Sequence, residues 1–108
     1  MTTQYPLFSQ VALATDLPEH RLKRGDVATV VEHYPMPEGG EDGYSLEGLD
    51  VPDVTVEVAA SQIMPLSQWQ QEQSMLEKLR QLSLEKRSLL NDFIDFLLQK
   101  EQADVINR

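Results

Sequence analysis

Glycine and proline disappear from the chain after Pro65, and this change limits the possible folds more than any other feature of the sequence. From Ser67 to Gln102 the chain is built mainly from Leu, Glu, Gln, Lys and Arg, which favour helices. Before Pro65, turn-forming residues separate short apolar runs. The sequence therefore predicts an α+β protein with a β domain at residues 1–66 and a helical arm at residues 67–108.

The β domain contains five short runs of strand-forming residues. The run Val27–Tyr34 is the strongest, because it is rich in β-branched side chains that fit a pleated surface. The next segment, Pro35–Gly43, holds two prolines and three glycines, which predicts an exposed loop. Five short strands favour a small antiparallel barrel, in which few strand edges stay exposed. The runs are Gln10–Ala14, Val27–Tyr34, Tyr44–Gly48, Val54–Val58 and Ile63–Leu66.

The helical arm divides near its middle. Ser67 and Gln70 have the spacing of a capping box, which predicts the start of a first helix. The apolar stripe of the arm is interrupted by the polar residues Ser83 and Lys86, and serine is a good N-cap for a second helix. We therefore expect a helical hairpin or a kinked pair of helices with its junction near Leu82–Leu84. One continuous helix is the alternative.

The composition restricts the chemistry that the chain can perform. At 108 residues it is long enough for one domain, so a second independent core is not expected. Without cysteine it has no disulfide, no thiolate metal ligand and no cysteine nucleophile. The first ten residues do not resemble a secretory signal, and no apolar run is long enough to span a bilayer. These features predict a soluble, cytoplasmic protein without a membrane partner.

The formal net charge of −9 is concentrated in the β domain. Residues 1–66 contain eleven acidic and three basic side chains, whereas residues 67–108 contain seven acidic and six basic ones. Because an acidic surface repels phosphate backbones, binding to nucleic acid is disfavoured. The basic residues of the β domain form one cluster and are the candidate contacts with a phosphate group. They are Arg21, Lys23 and Arg24.

Residue types that carry catalysis are present, but they do not form a recognisable pattern. The two histidines, His20 and His33, have no serine or carboxylate at a known catalytic or metal-ligand spacing. The acidic residues between Glu38 and Asp53 do not follow the spacing of a calcium-binding loop. A small barrel is also filled by its own side chains, which leaves little room for a substrate. We therefore predict a protein that is not an enzyme and has no cofactor or metal ion.

The helical arm has more apolar side chains than two helices can hide between themselves. In its second helix they extend over most of the circumference, so one contact face does not account for them. They are expected to pack on the β domain, to bind a protein partner or to form a homo-oligomer, and the sequence leaves these three possibilities open. The candidate partner-binding residues are Trp69, Leu76, Leu79, Leu89, Leu90, Phe93, Ile94, Phe96 and Leu97.

Three segments of the β domain resemble a family of small bacterial domains of unknown function that carry a DLPE…RGD.GTVVE signature. The segments are Asp16–Glu19, Leu22–Val27 and Thr29–Glu32. The resemblance extends over residues 7–66 and departs from the signature at Ala28, where the family usually has glycine. It implies that the β domain is an SH3-like barrel.

The helical arm is similar to short antitoxin-like helical proteins of bacteria in the segments Leu76–Leu82 and Phe93–Lys100, with Leu84 in place of a familiar proline. Those proteins dock helices against their partners. The resemblance implies a non-catalytic binding subunit that neutralises a neighbouring toxin by covering it. Two alternatives come from other classes of protein. One is a nucleic-acid-associated adaptor that uses the basic cluster, and the other is a hydrolase that uses the acidic loop.

Overall fold

A computed structural model describes residues 5–36, 38–48 and 55–106 of the chain. Within these ranges, five antiparallel strands precede two helices, so the predicted α+β fold class is confirmed. Pro37 of the predicted loop and Val54 of the predicted fourth strand lie outside the described residues, as do residues 49–53. The elements are β1 (Gln10–Leu13), β2 (Val27–Tyr34), β3 (Gly43–Glu47), β4 (Val56–Ala59), β5 (Ile63–Pro65), α1 (Leu66–Arg80) and α2 (Leu84–Ile106).

The strands form one sheet in the order β4-β3-β2-β1-β5. β2 lies at its centre and has the bounds predicted from its β-branched side chains. It pairs with β1 through Ala28 opposite Val11, and with β3 through Val30 opposite Leu46. The register with β3 shifts between Val30 and Glu32, as in a β-bulge. The longest strand thus connects both halves of the sheet.

The link between β4 and β5 requires the sheet to curl. These two strands lie at opposite edges of the sheet, yet only the 3₁₀ turn Ala60–Gln62 separates them. Four Cα-to-Cα steps span at most about 15 Å, whereas the edges of a flat five-stranded sheet lie about 19 Å apart. The two edges must therefore bend towards each other. Among the described residues no ladder joins β4 to β5, so closure into a barrel stays a prediction.

All five strands contribute to one buried apolar cluster. Tyr5 ties the start of the described chain to it, because its backbone N–H donates to Tyr44 Oη at 3.2 Å and its own Oη donates to the Ile63 carbonyl at 3.3 Å. Burial, with a contribution from Tyr44, raises the pKa of Tyr5. The cluster includes Val11, Val30, Leu46, Val56 and Ile63, one from each strand.

Trp69 fastens the first turn of α1 to the loop between β1 and β2. Its ring lies against Gly25, which has a φ of +96°. The Arg24 guanidinium lies 4.9 Å from the centroid of the Trp69 ring, and its Nη2 is 3.6 Å from Oε2 of Glu72. The loop is itself held by a hydrogen bond from the Arg24 N–H to Asp16 Oδ1. These contacts lie within the first compact unit, which extends to Glu72.

The helical arm contains two helices, and the alternative of one continuous helix is wrong. α1 ends at Arg80, α2 begins at Leu84, and Ser83 caps α2 as predicted, since its Oγ accepts from the Lys86 N–H at 3.3 Å. The predicted capping box at Ser67 is wrong, because α1 begins one residue earlier and Ser67 lies inside its first turn. No helix among the described residues has the length and apolarity that crossing a bilayer requires.

Substitution of Gly25 by alanine should destabilise the β domain. The new Cβ would overlap the Trp69 ring, and the positive φ is unfavourable for any residue with a Cβ. We expect the free energy of unfolding, measured by urea denaturation, to fall by at least about 2 kcal/mol. The control is Gly48→Ala, which has a φ of +88° but no atom within 4 Å of the new Cβ. Equal losses in both variants would contradict a stabilising role for the Trp69 contact.

Candidate functional site

Among the described residues, α2 carries half of the exposed large apolar side chains. Between Leu89 and Leu98, six of them keep from 42% to 66% of their surface exposed. Side chains of this kind are normally covered by another part of the same protein or by a partner. The six are Leu89, Phe93, Ile94, Phe96, Leu97 and Leu98.

The helical repeat divides this surface into two adjacent stripes. Residues three or four apart lie on the same face of a helix. Leu89, Phe93 and Phe96 therefore form one row, here called the aromatic stripe, in which the two phenyl rings stack at 6.3 Å between centroids. Leu90, Ile94 and Leu97 form the second row, here called the aliphatic stripe. The opposite face of α2 is polar and carries Ser88, Asp92, Asp95 and Gln99.

The two stripes differ in the charges at their ends. Three or four residues beyond the ends of the aromatic stripe lie Glu85 and Lys86 on the N-terminal side and Gln99 and Lys100 on the C-terminal side. At the same spacing from the aliphatic stripe lie two bases at the N-terminal end, Lys86 and Arg87, and Lys100 with the acid Glu101 at the C-terminal end. Asp104 adds a second acidic charge near that end. A partner can therefore distinguish the two stripes by charge.

Arg87 also connects α2 to the end of α1. Its Nε donates to the carbonyl oxygens of Leu79 and Leu82 at 3.1 Å each, and its Nη2 donates to that of Arg80 at 3.0 Å. The last carbonyls of a helix have no partner within the helix, so a basic side chain satisfies them and favours the negative end of the helix dipole. Sequence reasoning missed this role, since the interaction depends on the angle between the two helices.

The predicted partner-binding residues do not all lie on one surface. Six of the nine belong to α2 and form its two stripes. Leu76 and Leu79 lie on α1, where Leu76 is 41% exposed and Leu79 is half-buried. Trp69 lies in the first compact unit, where its ring packs on Gly25. The ring therefore already has a packing partner within the chain. The α2 residues are thus the coherent part of the predicted site.

The basic cluster is less accessible to a phosphate group than its sequence indicates. Arg21 and Lys23 are exposed. Arg24 lies over the Trp69 ring and faces the Glu72 carboxylate, which would compete with a phosphate group for the same guanidinium. All three predicted phosphate contacts are exposed, but Arg24 already contacts Glu72 and the Trp69 ring.

His33 and Asp42 form a hydrogen-bonded pair that holds the loop between β2 and β3. The His33 Nε2–H donates to Asp42 Oδ2 at 2.8 Å, and the Met36 N–H donates to the other carboxylate oxygen at 3.1 Å. These bonds, the one from His33 foremost, lower the pKa of the Asp42 carboxyl. The His33 ring also stacks on Tyr44, at 4.8 Å between centroids. The pair fastens the loop to the sheet.

An open cleft of about 620 Å³ lies beside His33. It is lined by Tyr5, Pro6, Leu7, Val31, Glu32 and His33. No group of three or more His, Asp or Glu side chains that could hold a metal ion occurs in the described ranges. The hydroxyl group in its lining, that of Tyr5, donates to the Ile63 carbonyl.

The β domain matches one known family. The profile of a domain of unknown function, DUF4926, covers residues 7–65, which is more than half of the chain. The chain belongs to this family. The DUF4926 match includes the three segments that resemble the DLPE…RGD signature and ends just before α1. A search of curated proteins and a search of solved structures found no match to the chain.

Removing the Asp42 charge should make the stability of the DUF4926 domain less dependent on pH. Because its pKa is lowered in the folded state, ionised Asp42 stabilises the fold above the ordinary aspartate pKa of about 4, and this contribution is lost as the pH falls through the lowered pKa. We expect Asp42→Asn to reduce the free energy of unfolding at neutral pH and to flatten its decline in acid. Urea denaturation from neutral to acidic pH measures both effects.

The control for this experiment is Glu38→Gln, which removes an exposed carboxylate from the same loop. It should retain the acid-dependent loss of stability of the wild type. An equally steep decline in Asp42→Asn would contradict a stabilising role for the His33–Asp42 pair.

Proposed function

We propose that this chain is a non-catalytic binding module, in which α2 docks into an apolar groove of a protein partner. The observation that carries the proposal is the aromatic stripe. Phe93 and Phe96 are each 56% exposed and stack on one another over the middle of the helix. Exposed aromatic side chains on one helical face are typical anchors of a helix bound in a groove.

The charges around the aromatic stripe describe the partner. Lys86 and Lys100 lie one turn beyond the two ends of the stripe. A groove whose rim carries acidic side chains at both ends would therefore attract the helix and favour its correct register. Such rim charges mainly raise the association rate, whereas the buried aromatic rings supply most of the affinity.

An antitoxin-like role is the most concrete form of this proposal. A helix that fills a groove of a neighbouring protein inhibits that protein if the groove contains its working surface. This mechanism needs no catalytic group on the present chain. It is supported by the exposure of the two phenylalanines and by the similarity of Phe93–Lys100 to short antitoxin-like helices.

The two alternative functions have less support. An adaptor that binds nucleic acid through the basic cluster would have to release Arg24 from Glu72 and from the Trp69 ring. A hydrolase based on the acidic loop would need Asp42, whose carboxylate accepts hydrogen bonds from His33 and Met36. In both cases the proposed functional group is already engaged in holding a loop.

The double substitution Phe93→Ser and Phe96→Ser should abolish partner binding without unfolding α2. The full chain is immobilised, a protein retained from extract of the source organism is identified and purified, and its affinity is measured by calorimetry. Loss of aromatic anchors typically weakens binding by roughly 30-fold or more. Circular dichroism checks that the helices persist.

The matched control replaces two residues of the polar face, Asp92→Ser and Gln99→Ser, and should bind like the wild type. Reversal of the flanking charges by Lys86→Glu and Lys100→Glu should mainly slow association, and the effect should shrink in high salt. The proposal is wrong if the phenylalanine variant binds the purified partner as tightly as the wild type does, or if no protein binds α2.

A further inference from the structure

We infer that the aliphatic stripe of α2 pairs with the same stripe of a second copy of the chain, with the two helices antiparallel. The inference rests on the proposed role of α2 as a docking helix and assigns the second of its two stripes. The aromatic stripe is left for the heterologous partner. Three features of α2 support the pairing. They are the charges at the ends of the aliphatic stripe, the position of Arg87 and the exposed apolar area of the stripe.

The charges of the aliphatic stripe are placed against the dipole of their own helix. Lys86 and Arg87 follow Glu85 in the first turn of α2 and give that turn a net positive charge, where the helix dipole favours acidic residues. Glu101 and Asp104 lie near the other end, where it favours basic residues. Both pairs therefore cost the isolated helix some stability. An antiparallel second helix offsets this cost, because it brings the acidic end of one copy to the basic end of the other.

The spacing along the stripe fits a two-fold axis at Ile94. Arg87 and Glu101 lie seven residues on either side of Ile94, so antiparallel pairing about this residue places Arg87 of one copy opposite Glu101 of the second copy. Leu90 then faces the region of Leu97 and Leu98. Parallel pairing would instead place like charges together at both ends, which is unfavourable.

Arg87 is held in position before a second copy arrives. Its three hydrogen bonds, to the carbonyls of Leu79 and Arg80 in α1 and of Leu82 in the link to α2, use Nε and Nη2. A guanidinium has five N–H donors in a rigid fork, so this arrangement retains donors for a carboxylate. Since the side chain is already ordered, pairing with Glu101 loses less conformational entropy than it would for a free arginine.

The apolar area predicts a weak dimer. Ile94, Leu97 and Leu98 are 42%, 43% and 56% exposed. With a full surface of about 200 Å² for a large apolar residue, these three side chains expose roughly 280 Å² per copy, below the ~800 Å² of a standard interface. An interface of this size predicts a weak, transient dimer.

The aromatic stripe is a poorer candidate for self-association. Antiparallel pairing about Phe93 would bring Lys86 of one copy opposite Lys100 of the other, and parallel pairing would bring each lysine to itself. Both arrangements oppose like charges. Charge therefore favours the aliphatic stripe for self-association.

The inference is tested by sedimentation equilibrium of the full chain over concentrations that bracket the micromolar range. We expect a reversible monomer–dimer equilibrium that Ile94→Asp abolishes. The double substitution Glu101→Lys and Asp104→Lys should weaken the dimer about ten-fold, because it makes both ends of the aliphatic stripe basic. The matched control, Asp92→Lys and Asp95→Lys, makes the same change of net charge on the polar face and should leave the dimer intact.

The direction of pairing is measured with a spin label on Gln102→Cys, since the natural chain has no cysteine. Two labels should lie about 24 Å apart along the axis of an antiparallel pair centred on Ile94, and within about 10 Å in a parallel pair. A short distance would overturn the antiparallel arrangement. Circular dichroism of every variant shows whether α2 remains helical.

Failure of this inference is distinguishable from failure of the proposed function. A chain that stays monomeric but binds its purified partner through Phe93 and Phe96 would overturn self-pairing alone. If the Glu101→Lys, Asp104→Lys variant and the Asp92→Lys, Asp95→Lys control weakened the dimer equally, the inference would also be wrong. Net charge would then explain the effect. A chain that neither dimerises nor binds a protein would overturn both.

Discussion

The short link between β4 and β5 determines the curvature of the sheet and the place where α1 begins. It carries the backbone from one edge of the sheet to the other within three residues, which places β5 beside β1. β5 runs directly into α1, so the same link decides where the helical arm leaves the β domain. The first turn of α1 then brings Trp69 onto Gly25, whose N–H donates to the Leu13 carbonyl at the end of β1. The curvature of the sheet therefore depends on the conformation of the loop between β1 and β2 and on the position where α1 begins, and each of these depends on the others.

The elements that sequence reasoning predicted best are those specified by local preference. β2 has its predicted bounds because eight neighbouring residues favour a strand on their own. Ser83 caps α2 for a similarly local reason, since a serine hydroxyl accepts the orphan N–H of a residue three positions on. The capping box at Ser67 was wrong because β5 leads into α1 without a break, and the helix starts before the serine. Such a boundary is decided by neighbouring structure rather than by propensity.

The candidate site was predictable in part for the same reason. The apolar residues of α2 and their division into faces follow from the helical period, which the sequence contains. The role of Trp69 did not follow, because its contact with Gly25 joins residues that are far apart in the chain. The contacts of Arg87 with three carbonyls were equally hidden, since they need the break between α1 and α2. Packing on Gly25 thus removes Trp69 from the candidate site. The three hydrogen bonds of Arg87 add a restrained basic side chain to it.

The stability of α2 should depend on whether a binding partner covers its apolar side chains. A helix of 23 residues is about 35 Å long, and isolated helices gain only marginal stability from propensity. α2 gains a cap from Ser83 and a tie to α1 from Arg87, but its stripe charges oppose its dipole and its apolar rows are exposed. A bound partner would remove both penalties at once, so binding should stabilise α2 by mass action. The features that weaken the free helix are thus the ones that would suit α2 to the proposed docking role.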